Sequence, residues 1–165
     1  FCFSIFSSIS QTNEDVPLNN IAINEIPKPI SSLIFEDFSG NEINLNNYHG
    51  RLVIINFWAT WCAPCMKEMP SLDKLYQDNN FKNLQIFAVN MEQSNTLKTK
   101  KFFTDLNIQK LEIFFDPNLN FVKEFKLRGM PTTVLINKKG EEFARIIGET
   151  NFQNKKFVKW LSKYD

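Results

Sequence analysis

The chain is poor in the residues that build most chemical sites. Its 165 residues include one histidine, His49, and three cysteines. Three cysteines are far too few for a disulfide-dense secreted scaffold. Charge of one sign is also lacking. Nineteen Lys and Arg face eighteen Asp and Glu, for a net charge of +1. That balance excludes the basic footprint of a nucleic-acid binder and leaves no acidic tail. There is no internal repeat and no low-complexity tract in the body of the chain. What is abundant is apolar: 43% of residues are hydrophobic and 17 are Phe, which excludes a disordered chain. At this length one domain can bury roughly 70% of the surface its unfolded form exposes. Composition reaches an α/β-sized domain and no further, so function has to come from a site.

Phe1 to Ser10 is apolar and uncharged, and gives way to the polar Gln11-Thr12-Asn13-Glu14-Asp15. An apolar run closing on small residues at Ser8 and Ser10 resembles the end of a signal-peptide core, with cleavage before Gln11. It is too short to cross a bilayer, which takes about 20 apolar residues. A longer anchor beginning upstream of Phe1 and a Phe-rich terminus with no targeting role are the alternatives. Asp15 to Pro29 holds proline-broken pieces without periodicity and reads as a linker. The expected organisation is 1–29 as signal-peptide remnant or anchor plus linker, and 30–165 as one folded domain.

Phe35 to Leu45 alternates apolar positions around Ser39-Gly40-Asn41, a short hairpin. Leu52 to Trp58 is a near-continuous apolar run, as expected of a strand buried on both faces. Beyond Cys65, Met66, Met69, Leu72, Leu75 and Tyr76 fall at helical spacing. Leu84 to Val89 reads as a second buried strand, Leu97 to Leu106 as a rougher amphipathic helix, and Leu111 to Phe115 as a third strand. Asp116-Pro117 then supplies an N-cap and a first-turn proline for a short helix through Leu119, Val122 and Phe125. Thr133 to Ile136 and Glu142 to Ile147 flank Asn137-Lys138-Lys139-Gly140 as an antiparallel hairpin. Phe157, Val158 and Leu161 mark a last helix. The class is α/β with a mixed central sheet.

Cys62 and Cys65 stand three apart, directly after the buried strand and at the start of the long helix. A cysteine there sits among unpaired backbone amides at the positive end of the helix dipole, which favours thiolate over thiol. Its partner one turn on is close enough to close a small disulfide. That arrangement suits thiol–disulfide exchange: Cys62 attacks, a mixed disulfide forms, and Cys65 resolves it. Pro64 occupies a first-turn position whose amide the helix would not use. A structural zinc half-site and an inert disulfide are the competing readings. Zinc would need four ligands, and the rest of the folded domain supplies only His49. A c-type haem site would need a histidine where Met66 stands.

Asn56-Phe57-Trp58-Ala59-Thr60-Trp61-Cys62-Ala63-Pro64-Cys65, Pro70 five residues past the second cysteine, and Gly129-Met130-Pro131-Thr132-Thr133 resemble, in this order, the thioredoxin fold. More narrowly they are similar to its exported TlpA/ResA-like branch of bacterial thiol–disulfide oxidoreductases. The likeness runs from about Phe35 to the C-terminus. It implies a thioredoxin-like mixed central sheet flanked by helices, with an N-terminal hairpin and a central helix–strand insert from about Met91 to Phe115. It implies that Pro131 is a cis-proline beside the redox pair and that Met130 offers its backbone to an extended substrate chain. It also puts Trp61, Ala63 and Pro64 on the docking surface, and gives Pro70 the structural role of kinking the helix.

The departures carry information. Thioredoxin has a buried Asp six positions before the first cysteine, where this chain has Asn56, which cannot take up a proton. Proteins of the ResA-like branch resemble this chain in having Asn there and a glutamate three residues past the second cysteine, the place of Glu68. One turn after Cys65, that carboxylate can accept the buried thiol's proton. A solvated helix-surface glutamate beside Lys67 is the plainer reading. His49 lies in a turn before the strand and reads as solvated, Trp58 as packed, and Cys2 as a lipidation candidate whose context precedes Phe1.

The resemblance implies an exported thiol–disulfide oxidoreductase acting mainly as a reductant, periplasmic or otherwise extracytoplasmic. Electrons would come from a membrane thiol carrier and pass to thiols of apocytochrome c or of oxidase-assembly proteins. The redox group would be the Cys62–Cys65 pair itself, with no dissociable cofactor, no metal and no nucleic acid, in a monomer. Two alternatives stand beside it. A peroxiredoxin-like peroxidase shares the Phe35 to Trp58 lead-in, but Thr60 lies two rather than three residues before Cys62. A copper-binding assembly chaperone would need a histidine from a later loop, and none follows His49.

Overall fold

A computed structural model describes residues 16–92 and 96–165. The expectations for Phe1 to Asp15, Cys2 among them, lie outside the described residues. The strands are β1 (Ile21–Pro29), β2 (Ile34–Asp37), β3 (Glu42–Asn44), β4 (Leu52–Trp58), β5 (Leu84–Asn90), β6 (Ile113–Phe115), β7 (Thr132–Ile136) and β8 (Glu141–Ile147). The helices are α1 (Ala63–Tyr76), α2 (Thr96–Asp105), α3 (Asn120–Phe125) and α4 (Lys155–Leu161). One mixed sheet carries the strands in the order β1-β8-β7-β4-β5-β6-β2-β3. β4, β5 and β6 run parallel, and β7, β8, β1 and the β2–β3 hairpin pair antiparallel.

The period-2 alternation of side chains splits β4 between two cores. Leu52, Ile54 and Trp58 face one side, with Met69 and Leu72 of α1, Phe102 and Phe103 of α2, and Phe157 and Leu161 of α4. Val53, Ile55 and Phe57 face the other, with Phe35 of β2 and Phe121 and Phe125 of α3. Every residue of β4 is buried, which is why its sequence reads as an unbroken apolar run. The exception within that run is Asn56, on the α1 side by parity and fully buried.

The folded unit extends further toward the N-terminus than expected. Residues 21–29, read as linker, form the edge strand β1 against β8, with the register shifting between Ile23 and Lys28. An edge strand bonds on one side only, so Pro27 and Pro29 cost it no ladder partner on the open side. Leu18 is buried in the α1-side core. A second difference concerns α3, which starts at Asn120 rather than at Pro117. Asp116 still caps it, its carboxylate accepting from the Asn120 and Phe121 amides at 2.9 and 2.8 Å. The chain first turns through Leu119, which takes a left-handed φ of 54°. β6 likewise begins at Ile113 rather than Leu111. The Leu111 amide donates instead to Asp73 on α1 at 2.9 Å.

Candidate active site

β4 ends at Trp58, and Ala59 to Trp61 lead into Cys62, the N-cap of α1. Cys62 and Cys65 are joined as a disulfide with an S–S distance of 2.07 Å. The Cys62 Sγ also accepts a hydrogen bond from the Cys65 amide at 3.3 Å. Cys62 is 4% exposed and Cys65 is fully buried, so a partner approaching from outside meets Cys62 first. Around the pair Ala63 and Pro64 are exposed and Trp61 is 67% exposed.

Glu68 follows Cys65 by one turn and is not at the helix surface. It is 2% exposed, on the helix face that meets β4. Its Oε1 accepts from the Asn56 Nδ2 at 2.7 Å and its Oε2 from the Thr150 amide at 3.0 Å. Asn56 Nδ2 also donates to the Thr133 hydroxyl at 2.9 Å, while the buried Asn56 Oδ1 has no partner among the described residues. Burial pushes the Glu68 carboxyl up to about 7, against the two hydrogen bonds, with the nearby Glu149 carboxylate adding to the rise. On its outer side Glu68 reaches an open cleft of about 860 Å³ shared with Lys67, Ser71 and Thr150. The arrangement buries a carboxyl that titrates near neutral pH one helical turn from Cys65, at the wall of an open cleft.

β7 supplies the other wall. Phe57 of β4 pairs with Thr132, which brings Met130 and Pro131 to the sheet edge from which Cys62 emerges. The Met130–Pro131 peptide bond is cis. The Pro131 carbonyl accepts from the Gly148 amide at 2.9 Å and the Gly129 carbonyl from the Thr132 hydroxyl at 2.8 Å. The backbone amide and carbonyl of Met130 have no partner among the described residues. Met130 can therefore take an extended chain by strand-like pairing.

The remaining candidates fall outside the chemistry. Trp58 packs against Phe102 and Phe103, with ring centroids 4.7 and 5.2 Å away. His49 is exposed in its turn. Its ring lies where a Cβ on Gly140 would stand, and Gly140 itself takes a left-handed φ of 80°. Among the described residues no group of three or more His, Cys, Asp or Glu is placed to hold a metal ion.

Sequence reasoning missed Glu92. Its carboxylate accepts from the Thr60 amide at 2.7 Å and the Thr60 hydroxyl at 2.8 Å, fastening the loop before Cys62. Partial burial works against its ionisation, but the bonds from Thr60 and Asn90 and the Lys98 charge win and hold the carboxyl below its ordinary range. Thr133 and Thr150 were missed for the same reason. Their roles depend on pairing across the sheet and on a loop 82 residues from Glu68, for which no local pattern exists.

Residues 26–141 match the AhpC/TSA family. The thiol-disulfide oxidoreductase ResA of Halalkalibacterium halodurans is 36% identical over 110 residues, covering 67% of this chain and 61% of that protein. For that relative, then, the chain spans less than two thirds of the length. ResA of Bacillus thuringiensis subsp. konkukian is 32% identical over 139 residues, covering 84% of this chain and 79% of its own. Among solved structures, StoA from Bacillus subtilis superposes with a TM-score of 0.65 at 26% identity, covering 84% of this chain and 98% of that one. A secreted thiol-disulfide isomerase from Corynebacterium glutamicum reaches a TM-score of 0.74 over 90% of this chain and 95% of its own, and at 18% identity it speaks for the fold. With a disulfide across Cys62 and Cys65 at the head of α1, the chain belongs to the AhpC/TSA family as a thioredoxin-fold thiol–disulfide oxidoreductase.

Proposed function

We propose that the protein works outside the cytoplasm as a reductant of protein disulfides. The observation that supports the exchange chemistry is the Cys62–Cys65 disulfide at the head of α1 with the buried Glu68 carboxyl one turn from Cys65, hydrogen-bonded to Asn56 at 2.7 Å, while the direction and the location rest on the resemblance to the TlpA/ResA-like branch. In the dithiol state Cys62 is the thiolate favoured at the helix N-terminus. It attacks a substrate disulfide and one substrate sulfur leaves as thiolate. Cys65 must then lose its proton to attack the Cys62 sulfur and release the second substrate thiol. Glu68 takes that proton and passes it to the outer cleft, so the pair is oxidised by two electrons and the substrate reduced by two. Trp61, Ala63 and Pro64 form the contact surface around Cys62, and Met130 pairs with the substrate backbone beside Pro131.

The redox group is the cysteine pair, with no dissociable cofactor. A membrane thiol protein returns the electrons, and the accepting disulfides belong to apocytochrome c or oxidase-assembly proteins. These assignments are what the resemblance to the TlpA/ResA-like branch implies; the named relatives support the thiol–disulfide exchange itself. Among the described residues no helix is long and apolar enough to cross a membrane.

The midpoint potential of the Cys62–Cys65 pair in thiol buffers tests the direction. A value near that of thioredoxin, about −270 mV, or lower is expected. A value near that of a strong oxidant, about −120 mV, would make the protein a disulfide donor and overturn the reductant reading.

A further inference from the structure

Two grooves flank the redox pair along one sheet edge, since Phe57 pairs with Thr132 on one side and Trp58 with Asn90 on the other. The groove on the β5 and β6 side, about 570 Å³, is rimmed by Glu36, Asp37, Glu92 and Asp116. Three of those carboxylates are spent on internal amides and hydroxyls: Asp37 on Ser39 and Asn41, Glu92 on Thr60, and Asp116 on Asn120 and Phe121. The groove on the β7 and β8 side, about 770 Å³, includes Met130 and Pro131 and is lined by Leu127 and Ile147, with Lys28, Lys126 and Arg128 among its walls; of its two carboxylates Glu142 is held by Arg145 and Glu124 accepts from Ser31, so three cations face one carboxylate without a cationic partner. Ile147 is 56% exposed.

The cations of this second groove differ in employment. Arg145 is paired with Glu142 at 2.7 Å and donates to the Phe125 carbonyl at 2.7 Å. Lys28, Lys126 and Arg128 have no ion pair or side-chain hydrogen bond with any described residue. A groove with exposed apolar surface, three unspent positive charges and an unpaired backbone at its active-site end has the features of a receptor for an extended acidic segment. In an extended chain successive side chains point to opposite faces. Alternate residues can thus rest on Leu127, Met130 and Ile147 while those between reach the cations.

We propose that this groove binds the substrate segment adjoining the reactive cysteine, and that it selects segments in which acidic and apolar residues alternate. The proposal rests on the oxidoreductase reading and narrows its substrate class.

The test uses the reduced full chain and three cysteine peptides of equal length, each carried as a mixed disulfide with thionitrobenzoate. Their flanking residues alternate valine with glutamate, serine or lysine. The Cys62 thiolate attacks the peptide sulfur and expels thionitrobenzoate, which is read by its absorbance. Cys65 then displaces the peptide thiolate and closes the disulfide, so the protein loses the two electrons that the mixed disulfide gains. At low salt the acidic peptide is expected to react about tenfold faster than the neutral one. At about 0.5 M salt, where exposed charges are screened, the advantage should fall below about twofold. The triple variant Lys28→Glu, Lys126→Glu, Arg128→Glu should reverse the order of the acidic and basic peptides.

Equal rates for the acidic and neutral peptides overturn the proposal, and so does a preference that persists in the triple variant. A wild-type chain that sediments as a dimer while the variant is monomeric assigns the groove to a second copy and also overturns it. If the neutral peptide is not reduced at all, the oxidoreductase reading itself has failed and the proposal fails with it.

Discussion

The Asn56 side-chain amide donates to the Glu68 carboxylate over 2.7 Å, across the interface between β4 and α1. One residue interrupts the buried apolar run of β4 and the other the buried face of α1, and the Asn56 amide gives the Glu68 carboxylate a partner there. The pair explains how a carboxyl group stays 2% exposed next to a disulfide. It also gives the fold one pH-dependent contribution. Burial raises the Glu68 carboxyl from 4.5 to about 7. Between those values the folded chain holds a proton that the unfolded chain has released. The Glu68 contribution to stability therefore falls as pH rises through that window and levels off above it. Urea unfolding at about pH 4 and about pH 8 should show Glu68→Gln gaining about 3 kcal/mol relative to the wild type at the higher pH. A pH-independent difference between the two would mean that Glu68 titrates normally.

The same substitution should slow turnover. With no group to accept the Cys65 proton, release of the second substrate thiol at pH 7 is expected to drop by about 10²-fold. The rate profile should lose its ionisation near neutrality and rise instead with the Cys65 thiol. Lys67 and Glu149, an exposed pair at 3.6 Å, and the cleft residues Lys74 and Lys156 border the same carboxyl. Their charges should move the midpoint of the wild-type profile with salt.

The two cysteines should separate cleanly in trapping experiments. Cys65→Ser leaves the attacking sulfur without its resolving partner, so mixed disulfides with substrate should accumulate and be visible by mass spectrometry. Cys62→Ser should trap none and reduce nothing. Accumulation on Cys65 in the second variant would reverse the assignment of roles.

The two tryptophans beside the cysteines serve different ends. Trp58 is fully buried against Phe102 and Phe103. Trp58→Ala should therefore cost about 3–5 kcal/mol of stability. Trp61 is 67% exposed, and Trp61→Ala should change stability by less than about 0.5 kcal/mol. Its effect should appear in the rate with protein substrates and not with a small disulfide. Chemical denaturation and the two rate measurements separate these outcomes.

What could be read in advance was whatever is written locally. The apolar run at β4, the helical spacing after Cys65, the hairpin around Gly140 and the cysteine pair at a strand–helix junction each carry their signal within a few residues. Glu68 is a candidate through the resemblance to the ResA-like branch, which pairs Asn at position 56 with a glutamate three residues past Cys65, but its burial rests on contacts with Asn56 and Thr150 from elsewhere in the chain. Asp73 shows the same limit. It sits in an ordinary helical stretch, yet its carboxylate accepts from the amides of Gln109, Lys110 and Leu111 and shapes the approach to β6. Asp73→Ala should cost about 1–3 kcal/mol by leaving those amides unpaired.

Residues 21–29 pair with β8 as a strand although their sequence reads as a linker. β1 was hidden because its prolines lie on an edge strand and its apolar residues follow no regular alternation. Asn20, just before it, is the fastening point. Its side-chain amide donates to the carbonyls of Ile147, Gly148 and Glu149 at 3.0, 3.4 and 3.1 Å. Those carbonyls precede Thr150, whose amide holds the Glu68 Oε2. Asn20→Ala should therefore do more than lower stability by about 1–3 kcal/mol. Loosening the Thr150 amide removes a bond that favours the ionised carboxylate, so the midpoint of the Glu68 profile should move upward. A chain beginning at Ile30 should show both effects more strongly, because it also loses buried Leu18 and the whole of β1. Equal unfolding midpoints for that chain and the full one would mean that β1 adds nothing to the stability of the fold. A lower midpoint with an unchanged Glu68 profile would confine Asn20 to a structural role.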